Sequence, residues 1–125
     1  MPKGPYSVLV DKKIKEFNKS IKVDSDKSIS IRSFLLSSIS NNISEVKNAL
    51  ESEDVQSCIN CLKKLGVKIK KNKNKNYLIF GKGLGSLYAK KNTTLNCGNS
   101  GTLARLLIGI LSTTPDINIV ITGDK

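Results

Sequence analysis

The feature that most restricts the fold is the segment after Gly98-Asn99-Ser100-Gly101, where Leu103, Leu106, Leu107, Ile110 and Leu111 recur at helical spacing and hold one face. A helix with so apolar a stripe needs a layer to bury it. Two more such segments precede it. From Lys27 to Ser40, Ile31, Phe34, Leu35 and Ile39 repeat with the same period behind Asp24, Ser25 and Asp26, all competent caps. A second helix is expected from Ser52, with Glu53 and Asp54 in its positive first turn, Val55, Cys58, Ile59, Leu62 and Leu65 inward, and Gly66 at its end.

Between these lie short segments rich in Val and Ile that read as strands: Tyr6 to Val10, Ser20 to Val23, Val67 to Lys70, Tyr77 to Phe80, Leu87 to Lys90 and Ile117 to Thr122. Helices and strands in this order call for a layered α/β fold of one domain across residues 1–125, in keeping with a chain of 125 residues. The last strand runs into Gly123-Asp124-Lys125 as though toward further chain, so a fragment of a longer protein is expected.

Composition removes several chemistries. With no histidine the chain cannot build His-containing metal sites or a Ser-His-Asp nucleophile. No apolar run approaches the ~20 residues that cross a bilayer, and the Met-Pro-Lys-Gly start lacks the apolar stretch of a secretory signal, so a cytoplasmic setting is expected. Cys58 and Cys61 have redox-motif spacing but fall mid-helix, where no dipole stabilises a thiolate; buried free thiols are the better reading. Gly81-Lys82-Gly83-Leu84-Gly85 lacks the spacing of a dinucleotide loop, and no helix is expected after it.

The charge is lopsided, 21 basic residues against 10 acidic ones, a formal net of +11. Lysines crowd from Lys63 to Lys75 around a Lys/Asn run that reads as a solvated turn between two strands of a hairpin; a basic module binding nucleic acid is the alternative. Only Arg32 and Arg105 are arginine. A chain that otherwise uses lysine gains from them a rigid fork for carboxylate or phosphate.

Both arginines follow a helix start. In Asp26-Lys27-Ser28-Ile29-Ser30-Ile31-Arg32, Ser28 and Arg32 share one face beside Lys27, and a first-turn lysine is disfavoured unless an anion offsets it. In Cys97-Gly98-Asn99-Ser100-Gly101-Thr102 through Arg105, two glycines let a ligand approach the main chain, and Asn99 can both cap and bind. Each could be a plain capped turn. Two anion-ready helix starts in one short chain are harder to set aside than either alone.

These two segments, with Ser52-Glu53-Asp54-Val55, Leu65-Gly66-Val67 and Ile121-Thr122-Gly123-Asp124 in the same order, resemble the amino-terminal part of the 5-enolpyruvylshikimate-3-phosphate (EPSP) synthase family. The resemblance implies βαβαββ units of the inside-out α/β barrel of enolpyruvyl transferases, incomplete in this chain. It also implies transfer of the enolpyruvyl group from phosphoenolpyruvate to the 5-hydroxyl of shikimate 3-phosphate, in aromatic amino acid biosynthesis. By motif position Lys27 would contact both substrates, Ser28 and Arg32 would bind shikimate 3-phosphate, and Gly101 would offer its backbone to phosphoenolpyruvate, with Asn99 shaping that turn. Arg105 carries over only by its place in the motif. The acids and bases that move protons are implied to lie outside this chain, so no catalytic residue is expected within it. Neither a metal nor an organic cofactor is implied, nor a nucleic-acid or membrane partner, and the full-length protein is expected to be a monomer. The family's usual Pro-Gly is replaced here by Asp24-Ser25, and Ile31 stands where His or Asn is common, which is expected to remove a polar group beside the site.

Overall fold

The computed structural model of the chain describes residues 7–13, 16 and 18–124. Its elements run α1 (Lys27–Ser38), β1 (Ile43–Val46), α2 (Glu53–Lys64), β2 (Lys68–Lys71), β3 (Tyr77–Phe80), β4 (Thr93–Asn96), α3 (Gly101–Leu111) and β5 (Ile119–Thr122). The fold is mixed α/β, as the alternation of periods implies, and no barrel closes among the described residues.

Local chemistry sets each helix. Asp26 caps α1, its side chain accepting from the Ile29 amide at 2.7 Å, and Ser52 caps α2 through the Val55 amide. α3 is capped by Ser100, whose Oγ accepts from the Leu103 amide at 3.2 Å, rather than by Asn99. Gly66, at φ +84°, makes the left-handed turn that ends α2; a side chain there would also meet the Tyr88 ring. At the far end of α1 the glycine loop serves as a cap, because the amides of Lys82 and Gly83 donate to the carbonyls of Ser38 and Ser40. That use, with no helix following, matches the reading that it is not a nucleotide loop.

β3 lies between β1 and β2 in an antiparallel sheet, with Ile79 opposite both Ser44 and Ile69. The Lys/Asn run closes the β2–β3 hairpin as expected: Asn72 Oδ1 accepts from the amides of Asn74 and Asn76, and Lys75 takes φ +62°. β4 and β5 pair in parallel, which requires a crossover, and α3 supplies it. The core gathers Ile31, Phe34 and Leu35 of α1, Val55, Ile59 and Leu62 of α2, and Leu103 and Leu107 of α3 against Ile79 and Leu95. Phe34 meets Tyr77 edge to face at 5.1 Å.

Several expectations are corrected. Ser7 to Val10 and Ser20 to Val23 form no strand; Val8, Leu9 and Val10 are 75, 84 and 85% exposed, since a strand needs a neighbour for its amides and carbonyls and neither segment has one among the described residues. Tyr6, like the Met-Pro-Lys-Gly start, lies outside the described residues. Leu87 to Lys90 forms no ladder among the described residues: the Tyr88 amide donates to the Leu65 carbonyl, and the Lys90 carbonyl accepts from the Thr93 amide in a turn. Of the α3 stripe, Leu103, Leu107 and Leu111 are buried, while Leu106 and Ile110 border a groove toward α1. Ile31 is fully buried in the core. β1 and β4 were not expected.

Candidate functional site

The two helix starts that carry the expected site residues are built alike. Each has a side-chain cap on its third amide, and in each the first two amides, of Lys27 and Ser28 in α1 and of Gly101 and Thr102 in α3, have no acceptor among the described residues. Neither first turn contains an acidic residue. These are positive helix ends presenting N–H donors, an arrangement that suits phosphate or carboxylate.

Lys27 does not stand alone. Its Nζ lies 2.7 Å from Oδ2 of Asp54 in the first turn of α2, which ties the start of α1 to that of α2. Ser28 is half-buried, its hydroxyl making no hydrogen bond among the described residues. Arg32, one turn on, is exposed and borders a groove of about 240 Å³ between α1 and α3, beside Leu36 and Leu106. It forms no ion pair among the described residues.

At α3, the absence of a side chain on Gly101 has a definite consequence. A Cβ there would stand 3.0 Å from Arg105 Nη1, so the guanidinium lies over the glycine and next to the free amides. Arg105, carried over only by motif position, thus sits where a second anion donor is useful. Asn99 is exposed on the turn, which Asn96 braces by accepting from the Gly98 amide at 2.8 Å.

The turn separates two hollows. The larger, about 570 Å³, runs between α2 and the turn, with Asp54, Ser57 and Lys64 facing Gly98, Asn99 and Asp124. The smaller, about 310 Å³, lies on the other side and is lined by Asn99, Ser100, Gly101 and Ala104. No single hollow holds all five expected residues: Asn99 lines both, Gly101 only the smaller, Arg32 the α1–α3 groove. Lys27 reaches the larger only through Asp54. That cleft carries three carboxylates, from Glu53, Asp54 and Asp124, beside Lys63 and Lys64, so its acidic end is not itself a seat for a polyanion. The anion-ready groups are the free amides at the two helix starts, outside that acidic end.

The remaining candidates resolve plainly. Burial pushes the Cys58 and Cys61 thiols up to about 12, as expected of buried free thiols, and raises Cys97 as well, so all three are protonated at neutral pH. In the lysine-rich region, Lys71 donates to Glu51 at 2.6 Å and lies over the Tyr77 ring, while Lys68 lies over Phe80. The hydrogen bond from Lys71 holds the Glu51 carboxyl below its ordinary value. The sequence offers no sign of the Lys27–Asp54 pair, because an acid in the first turn of α2 is accounted for by the helix dipole.

This layout has close counterparts. The family model for EPSP synthase (3-phosphoshikimate 1-carboxyvinyltransferase) matches residues 11–125. The chain belongs to the EPSP synthase family. It is 46% identical over 113 residues to the 3-phosphoshikimate 1-carboxyvinyltransferase of Alkaliphilus oremlandii, covering 90% of this chain and 26% of that protein. It is 37% identical over 116 residues to that of Syntrophomonas wolfei, covering 93% and 26%. The EPSP synthase from Acinetobacter baumannii superposes with a TM-score of 0.72 at 36% identity, over 83% of this chain and 23% of that structure. The chain spans about a quarter of the length of the relatives it matches.

Proposed function

We propose that the chain supplies part of the substrate-binding surface of an enzyme that transfers the enolpyruvyl group of phosphoenolpyruvate to the 5-hydroxyl of shikimate 3-phosphate, releasing phosphate. In this reading residues 1–125 are the amino-terminal part of an enolpyruvyl-transferase domain. Lys27 touches both substrates, Ser28 and Arg32 hold shikimate 3-phosphate, and the Gly101 amide meets phosphoenolpyruvate on a turn shaped by Asn99. The observation that carries it is the pair of acid-free helix starts, each with two unpaired amides and a nearby cation, at the positions of the family's motifs. Donors fixed in place before the ligand arrives stabilise phosphate and developing charge without rearranging during reaction.

The groups that move protons belong to the family's remaining length, so this chain binds rather than turns over. Such an enzyme acts on free small polyanions and is placed in the cytoplasm as a monomer. No helix of the described residues is long and apolar enough to cross a membrane. The nucleic-acid alternative is weakened by the engagement of Lys68 and Lys71 within the hairpin.

Calorimetric titration of the chain with shikimate 3-phosphate tests the reading, beside Lys27→Ala and Arg32→Ala variants and an oligonucleotide control. Weak binding lost in both variants is the expected result. A folded chain that ignores shikimate 3-phosphate, whether or not it takes the oligonucleotide, overturns it.

A further inference from the structure

An acid in the first turn of α2 serves that helix's dipole whatever its side chain touches. Asp54 does more. Its carboxylate is held in the wall of the larger cleft, the side chain 15% exposed, while the Lys27 ammonium it grips at 2.7 Å belongs to a side chain 48% exposed. The pair is therefore asymmetric, with a fixed acceptor behind an accessible donor. An ammonium has three N–H donors; one is directed at Asp54, which leaves two for a ligand. Without that partner a lysine at the first position of α1 faces the helix's own positive end, and its flexible stem turns to solvent.

Pairs with a half-exposed partner contribute little to stability. Their effect on where a charge stands is larger, because the same tie fixes the start of α1 to that of α2, whose cleft Asn99 shares. We infer that Asp54 is a positioning residue that holds the Lys27 ammonium at the junction of α1 and α2, with its free donors turned toward the phosphate-bearing substrate. The inference rests on the reading above that Lys27 binds that substrate.

The sign of the effect separates positioning from general electrostatics. Removing a carboxylate makes the surface more positive, which on charge alone strengthens anion binding. Positioning predicts the reverse. The test titrates the chain with shikimate 3-phosphate by calorimetry, as wild type, Lys27→Ala, Asp54→Asn, Asp54→Glu and the Lys27→Ala/Asp54→Asn double variant, with a thermal midpoint taken for each. Asp54→Asn is expected to weaken binding by at least about tenfold, with Asp54→Glu restoring most of it and the double variant no weaker than Lys27→Ala. Near-equal midpoints exclude a loss of fold; if Asp54→Asn does not fold, the comparison of Asp54→Glu with wild type and a Lys27→Arg variant, which keeps the pair, takes its place. Unchanged or tighter binding by Asp54→Asn, with Lys27→Ala still weakened, overturns the inference and leaves the reading of the site standing. If Lys27→Ala binds as wild type does, the reading itself fails and Asp54 falls with it.

Discussion

The start of α2 and the starts of α1 and α3 follow opposite rules. α2 places Glu53 and Asp54 in its first turn and Lys63 and Lys64 in its last, as the dipole favours. α1 and α3 have no acid in the first turn and no base in the last, and α1 begins with a lysine. All three are capped by a side chain, so the difference is not one of neglect. α2 is charged for its own stability, whereas the other two leave positive ends open; local rules are broken where a ligand is expected to repair them.

The comparison breaks most completely if the shared core fails. Phe34 is fully buried and packs on Tyr77, so Phe34→Ala should cost about 3–5 kcal/mol, read from denaturant unfolding, and should remove anion binding at both helix starts together. Binding retained at both starts in the folded population, with stability lowered by that amount, would mean that the two starts do not depend on that core. Alkaline pH acts next, through α2. Cys58 and Cys61 are raised from 9.0 to about 12, so their protonated forms favour the fold; that contribution is complete below pH 9 and lost as pH climbs toward 12. Unfolding midpoints followed upward from pH 8 should fall in that window, and a Cys58→Ala/Cys61→Ala variant should show a flatter decline.

What was legible in the chain followed the same division. Helices were readable because their signals are local: caps at Asp26 and Ser52, a stripe at helical spacing, Gly66 at a stop. The hairpin was readable from its Lys/Asn turn. β1 and β4 were hidden, since Ile-Ser-Glu-Val and Thr-Thr-Leu-Asn are short and mostly polar, with Leu95 the one residue of either that is fully buried. Their strand character comes from partners distant in sequence, Ser44 beside Ile79 and Leu95 beside Ile121. The opposite error has the same cause: Val8 to Val10 looks like a strand, and without a neighbour among the described residues it forms none. Of the residues proposed to bind substrate, Lys27, Arg32 and Gly101 stood out in the sequence as oddities of charge and backbone. Asp54 did not, because an acid in a first turn looks ordinary until its partner on another helix is seen.

Smaller substitutions sharpen the contrast between helix starts. Ser52→Ala removes the cap of α2 and should cost about 1 kcal/mol, measured by thermal or chemical unfolding, with shikimate 3-phosphate binding retained in the folded population. The 3.4 Å bond it deletes is long, which sets the effect at the modest end.

Ser28→Glu does the reverse, giving α1 the first-turn acid that α2 already has. The Ser28 hydroxyl makes no hydrogen bond among the described residues, so no side-chain bond is lost by replacing it, and a carboxylate beside the free amides should stabilise the chain by about 0.3–1 kcal/mol at low salt. The same carboxylate occupies the donors and repels a phosphate, so shikimate 3-phosphate binding should vanish while the unfolding midpoint rises. The gain in stability should shrink at high salt, since it is a surface charge effect. A rise in stability with binding intact would mean that the open start of α1 is not where the anion sits, and would move the site to the α3 turn under Arg105 alone. A fall in stability would mean that Lys27 and Asp54 already satisfy the positive end, and that α1 and α2 are less different than their first turns suggest.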